Sequence, residues 1–336
     1  MSMANRHARG ATALLLALSA CGGGASDAPP AQQAAIEIPA DQKIRTADPY
    51  ARGYTDADFP RVTELASGVY AYEQLRSAGD ERFTTVTMFV VTDDGVLVAD
   101  GQGSVEETEL LMQHIAAVTE QPVTTVVVAS DHGDHTAGNS AFPEDADFLA
   151  HPTSAEALER MAASARDGAP PVRLATRMVD QREVLTMGGR EIHVLFLGRA
   201  HTGGDLVVYL PAEKIIFMSE AYLHRVFPAM RSAYPSEWVA MIEAAQAMDV
   251  DVYVPGHGFV DHPSILEDEL ETFQGAIRTV IAEATRLYED GYSLEDAQAQ
   301  ALFGDLESWS LRSSQGDRAL QQVYAELDGE LREAGR

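Results

Sequence analysis

Residues 123–128, Val-Thr-Thr-Val-Val-Val, form a β-branched run that carries no charge. A strand of this kind must be covered on both faces, the situation of a parallel strand inside an α/β fold. The stretch before it, 104–118, reads as a helix, with Ser104 placed as N-cap and Glu106, Glu107 and Glu109 in the first turns. Upstream, 69–74, 84–92 and 96–100 read as strands, the last two joined by Asp93-Asp94-Gly95, where Asp-Gly marks a hairpin. This strand-helix-strand order runs straight into His132-Gly133-Asp134-His135. The cluster therefore falls at the carboxyl end of a buried strand, where α/β folds gather their ligands.

The second half repeats the style. Strands are expected at 148–151, 183–186, 191–197, 206–210, 215–218 and 252–254, helices at 154–164 and 235–248, and a second hairpin turn at Gly188-Gly189. After Pro263 the β signal ends, and 265–290, 293–303 and 315–333 read as helices, the second opening on Ser293-Leu294-Glu295-Asp296 as a Ser-x-x-acid start. No flexible linker precedes residue 264, so these helices are expected to pack on the same domain.

At the N-terminus, Arg6 and Arg9 precede an apolar run, 11–17, that ends in Leu18-Ser19-Ala20-Cys21. The run is too short to span a membrane as a mature helix, and the pattern resembles a bacterial lipoprotein signal with Cys21 as the lipidated residue. Cys21 is the only cysteine, which leaves the mature fold without disulfides. Residues 22–60 are rich in Gly, Ala, Pro, Gln and Asp and are expected to form a tether. The expected divisions are a signal at 1–20, a tether at 21–60, a site-bearing domain at 61–263 and a helical extension at 264–336. An exported, membrane-anchored chain facing the periplasm follows. With a net charge of −28 it lacks the basic footprint that nucleic acid requires.

Three further ligand candidates follow the cluster. His201 lies in Gly198-Arg199-Ala200-His201-Thr202-Gly203-Gly204-Asp205, Glu220 follows a strand, and His257 lies in Pro255-Gly256-His257-Gly258. Singly each is weak, because a histidine in a glycine-rich loop is more often a turn residue. In this order they resemble the metallo-β-lactamase-fold hydrolase superfamily over about residues 62–262. The resemblance implies a four-layer αββα sandwich, here with a C-terminal helical extension, and metals held by loops along one edge. Imidazole and carboxylate suit zinc, which lowers the pKa of a water to about 7 and polarises a scissile carbonyl.

Carried over by position, the first metal site would use Ser130, His132 and His201 and the second Asp134, His135 and His257, with Glu220 at the bridging position. Two departures from the family pattern fall on the metals: Ser130 stands for His and Glu220 for Asp. A serine hydroxyl is a poor zinc ligand, so one zinc is expected in the second site and the first is short of a ligand. His132 and His201 would then be candidate general bases, with Asp134 orienting the attacking water. Thr202 and Asp205 are candidates for orienting ligand imidazoles, and Asp100 for positioning loops. Tyr222 and His224, just after Glu220, are expected to line the substrate pocket.

The expected activity is zinc-dependent hydrolysis of a small carbonyl ester, lactone or lactam. The alternatives are a β-lactamase, or a degenerate relative that binds metal with little hydrolysis. Substrate choice is not written in the ligand pattern, because in such folds it lives in loops and added helices.

Overall fold

The computed structural model describes residues 38–166 and 168–331. The signal-like segment and Cys21 lie outside the described residues. Strands β1 (Arg61–Ala66), β2 (Val69–Ala78), β3 (Glu81–Thr92) and β4 (Gly95–Ala99) form an antiparallel meander. Helix α1 (Val105–Val118) crosses to β5 (Val123–Val128), which pairs parallel with β4. Ser104 caps α1, its hydroxyl accepting from Glu107 N–H at 3.1 Å. The one-turn α2 (Gly133–Thr136), β6 (Asp147–Ala150), α3 (Pro152–Ala163) and β7 (Arg177–Met178) extend the parallel part.

The other half contains β8 (Arg182–Met187), β9 (Arg190–Leu195), β10 (Val207–Leu210), β11 (Ile215–Leu223), α4 (Pro235–Gln246) and β12 (Val252–His257). Three helices close the chain: α5 (Pro263–Glu289), α6 (Leu294–Gln300) and α7 (Arg312–Leu327). The strand order is β7-β6-β5-β4-β3-β12-β11-β10-β9-β8, with β2 on β3 and β1 beyond it. The two sheets of the expected sandwich are thus one sheet curled on itself, its halves meeting where β3 pairs with β12 at Thr85↔His257.

The pleat decides what each half packs against. On β4, β5 and β6, Val96, Val98, Val126, Val128 and Phe148 face outward onto Leu111 and Ile115 of α1 and Leu158 of α3. Leu97, Ala99, Val127, Ala129 and Leu149 face inward, in one core with Ile192, Val194, Val207 and Phe217 of the other half. That core continues to Trp238 and Ile242 of α4 and Phe273 and Ile277 of α5. The layers are helix, sheet, sheet, helix, and the helices after Pro263 belong to the outer one.

Within the stretch expected as a tether, residues 38–60 pack on the domain instead. Arg52 is buried and donates to both carboxylate oxygens of Asp261, at 2.8 and 2.9 Å. Its guanidinium lies 4.0 Å from the centroid of Phe259, on which Tyr54 stacks at 5.5 Å. These partners sit in the loop after β12, more than two hundred residues away in sequence, so local composition could not announce them.

Candidate metal centre

Beyond β5, Ala129 and Ser130 donate their backbone N–H groups to Asp100 Oδ1 at 2.7 and 3.2 Å. The other oxygen of Asp100 lies 3.0 Å from His135 Nδ1 and accepts from the Ser219 hydroxyl. Asp100 and Ser219 both have positive φ, 64° and 49°, conformations that cost energy unless their surroundings fix them. A single buried carboxylate so holds together the ends of β4 and β5 and the middle of β11.

His257 ends β12, and its Nδ1 lies 2.9 Å from the Thr84 carbonyl, which fixes that nitrogen as the donor. With the Nδ1 atoms of His257 and His135 turned to oxygen acceptors, their Nε2 lone pairs face inward. The two Nε2 atoms are 3.3 Å apart. Asp134 Oδ2 is 3.2 Å from His257 Nε2 and 3.9 Å from His135 Nε2, and Glu220 Oε1 is 3.3 Å from His257 Nε2. Asp134, His135, Glu220 and His257 thus bring four acceptor atoms within 4.8 Å of one another. Such a group of buried acceptors is a candidate site for a metal ion.

Proton affinities carry the same message. Burial opposes a charge on His257, yet Asp134 and Glu220 beside it push its pKa up to about 10. Burial and Glu220 would raise the Asp134 carboxyl, but His135 and His257 hold it below the usual carboxylate range. Burial also opposes a charge on Glu220, and the His201 and His132 imidazoles overcome it, leaving the carboxyl well below its ordinary value. The cluster draws positive charge to itself.

A second group shares Glu220. Its Oε2 lies 3.0 Å from His132 Nδ1 and 3.1 Å from His201 Nδ1, and it accepts from Ser130 Oγ at 2.5 Å. His132, His201 and Glu220 form a three-residue ligand group. The site expected to be short of a ligand at Ser130 keeps His132 and His201 and gains an oxygen of Glu220. The carboxylate of Glu220, one methylene longer than Asp, reaches in against Ser130 and supplies a third oxygen. Both departures from the family pattern meet in one hydrogen bond.

Tyr222 and His224 do not line the pocket. Both are fully buried, Tyr222 donating to the Leu266 carbonyl at 3.0 Å and His224 Nδ1 lying 2.7 Å from the Phe259 carbonyl. Strand β11 continues through Leu223 with its register against β12 shifting between Ser219 and Leu223, and it is Leu223 that reaches the cavity. Asp205 likewise turns away from the ligand imidazoles and accepts from Thr202 N–H and hydroxyl at 2.6 and 2.8 Å, shaping the turn after His201.

Above the ligands lies a cavity of about 180 Å³, floored by His132, Asp134, His201, Glu220 and His257. Phe83, Leu223, Val226 and Leu311 form apolar walls, while Arg231, Gln315 and Arg318 add polar ones. Gln315 and Arg318 come from α7, one of the helices after Pro263. No local pattern marks these residues as lining a site. A larger open groove of about 790 Å³ runs between α5 and residues 302–309, but none of its lining residues belongs to either ligand group.

The family model described as the metallo-beta-lactamase superfamily matches residues 80–257, the span that holds every one of these ligands. The chain belongs to the metallo-β-lactamase superfamily. The chain is 28% identical over 177 residues to the 2,4-dinitroanisole O-demethylase subunit alpha of Nocardioides sp. (strain JS1661), a match covering 51% of this chain and 52% of that protein. The chain thus spans about half the length of that relative. It is 22% identical over 215 residues to the metallo-beta-lactamase type 2 of Bacillus cereus, which covers 62% of this chain and 81% of that enzyme. Among solved structures, the metallo-beta-lactamase from Pontibacter korlensis superposes with a TM-score of 0.56 at 23% identity, over 64% of this chain and 98% of that one. At that identity the likeness is one of fold.

Proposed function

We propose that the chain is a zinc-dependent hydrolase of a small carbonyl ester, lactone or lactam. The observation that carries the proposal is the spacing of the Asp134, His135, Glu220 and His257 acceptor atoms. Zinc bonds of about 2.0–2.1 Å in a tetrahedron give ligand separations of about 3.3–3.4 Å. Of the six separations, three are 3.2–3.3 Å, a fourth of 3.9 Å closes with a small rotation of the half-exposed Asp134, and all lie within 4.8 Å. The shared Glu220 joins this tight site to a weaker one at His132 and His201.

When bound, the metal supplies an acidified water and a Lewis acid for the carbonyl. The protein does the rest. Asp134 orients the water, and Glu220 holds the two halves of the site in register. Burial opposes a charge on His132, but Glu220 and Asp131 raise its pKa to about 9, which places the imidazole to give a proton to the leaving group. Phe83, Leu223 and Leu311 exclude bulk water and take the apolar part of the substrate.

The relatives named metallo-beta-lactamase favour a second reading, β-lactam hydrolysis. Against it stands the small cavity, narrowed by Leu311 and by Gln315 of α7. Turnover of a chromogenic cephalosporin by concentrated enzyme separates the two. Metal analysis of the purified chain, followed by an ester, lactone and β-lactam panel, tests the main proposal. About one tightly held zinc with ester or lactone turnover supports it, whereas bound metal without turnover of any substrate leaves a metal-binding relative that has lost catalysis. Export and lipid anchoring at Cys21 complete the proposal, and Cys21→Ser should release the protein from the membrane fraction.

A further inference from the structure

Three ligands of the tight group are braced from behind by side-chain contacts: Asp100 lies against His135, the Thr84 carbonyl against His257, and Ser130 against Glu220. Asp134 is different. Its side chain is the most exposed of the four at 31%, and it sits in the single turn of α2. A helix leaves its last carbonyls without an intrahelical donor, and a one-turn helix leaves nearly all of them so. The segment after β4 deals with part of this. Gly101 donates its N–H to the His135 carbonyl at 2.9 Å, and the Gln102 carbonyl accepts from Gly138 N–H, also at 2.9 Å. Gly138 is the residue whose N–H a continuing helix would turn to the Asp134 carbonyl. That carbonyl therefore takes its donor from elsewhere.

Arg76 of β2 supplies it. Its Nη2 lies 3.3 Å from the Asp134 carbonyl oxygen and 3.3 Å from Glu107 of α1. Its Nε donates to the Thr85 hydroxyl at 3.2 Å, and that oxygen is 3.5 Å from His257 Nδ1. One guanidinium thus spans from the strand against which His257 is seated to the turn that carries Asp134. Gly103 makes the room, since a Cβ there would lie 2.1 Å from Nη2 and 2.3 Å from Nη1. The planar fork serves acceptors in several directions at once, which an ammonium on a flexible stem does not.

We propose that Arg76 is a positioning residue for the metal centre: by tying the Asp134 carbonyl to Thr85 it sets Asp134 at the distance from His257 that a shared cation requires. The inference rests on reading Asp134 as a zinc ligand and holds whatever the substrate. Groups that brace a metal ligand from behind are worth about 10–100-fold in metal affinity.

The test uses the full chain, with zinc affinity read by competition with a chromogenic chelator and the stability of the metal-free protein by urea unfolding. Arg76→Met keeps most of the stem and should weaken zinc binding about 10–100-fold while the urea midpoint of the metal-free protein moves little. Arg76→Lys should recover part of the loss. Gly103→Ala displaces the guanidinium without removing it and should also weaken binding, and in the double variant with Arg76→Met the two losses should not add, because both act through one contact. Amide exchange across residues 133–138 of the metal-free protein should quicken in Arg76→Met, a readout that needs no zinc. Unchanged zinc affinity in Arg76→Met, additive losses in the double variant, or a loss of affinity matched by an equal loss of metal-free stability would overturn the inference. A wild-type chain that binds no zinc while Arg76→Met still quickens exchange would defeat the zinc reading and leave Arg76 as the brace of the α2 turn.

Discussion

Ser130 and Glu220 act as one unit, since the serine hydroxyl donates to the carboxylate that bridges both ligand groups. Restoring the family residue at one position alone should therefore fail. Ser130→His drives an imidazole into Glu220, and overpacking of this kind costs about 1–3 kcal/mol. Glu220→Asp withdraws the oxygen from His132 and His201. Ser130→His with Glu220→Asp should bring metal content toward two per chain, while each single change holds it at or below the wild-type value. Elemental analysis and urea unfolding of the four proteins form a double-mutant cycle, and additive effects would refute the coupling. Five of the six ligand candidates end a strand or sit in a glycine-bounded loop, which is what made them visible in the sequence, whereas Glu220 lies within β11. The reach of Glu220 toward Ser130 was not visible, since ninety residues separate them and only the curled sheet makes them neighbours.

Strands β11 and β12 run parallel, and their approach is what sets His257 beside Glu220. A Cβ at Gly256 would lie 2.3 Å from the carbonyl carbon of Ser219 and 2.7 Å from the Glu220 nitrogen, both backbone atoms that cannot swing aside. Gly256→Ala should push the strands apart, destabilise the fold by about 1–3 kcal/mol and weaken metal binding at least tenfold, read by unfolding and competitive chelator titration. Turn chemistry and capping gave most elements away in advance: the Asp94-Gly95 and Gly188-Gly189 hairpins and the Ser104 and Ser293 caps all stand where their residues point. Strand β11 extends five residues beyond the expected 215–218, and this moved Tyr222 and His224 from pocket to core. A buried strand has no alternating pattern to show where it ends or which face is which.

At the scale of the whole molecule, acidity shapes the response to pH. Glu73 on β2 is fully buried, accepts from Val260 N–H at 3.0 Å and has Arg61 3.9 Å away, and burial pushes its carboxyl up to about 7. An unfolded glutamate titrates near 4.3. Between these values the native state keeps a proton that the unfolded chain has released, so this stabilisation is full below about pH 4.3 and is lost as the pH climbs to about 7. The urea midpoint should decline from pH 5 to pH 8 more steeply in wild type than in Glu73→Gln; parallel curves would mean that Arg61 keeps the group ionised. The sequence made the layer order readable but not the seam between the halves, where Thr85 meets His257. Asp134 and His135 follow β5 on one side of that seam, and Glu220 and His257 lie on β11 and β12 on the other. A bound cation is then a rivet through a folded sheet, holding shut a joint with few hydrogen bonds of its own. Chelation should lower the melting temperature by several degrees and speed amide exchange first along β3 and β12, so that loss of metal opens the protein at its spine before its outer helices loosen.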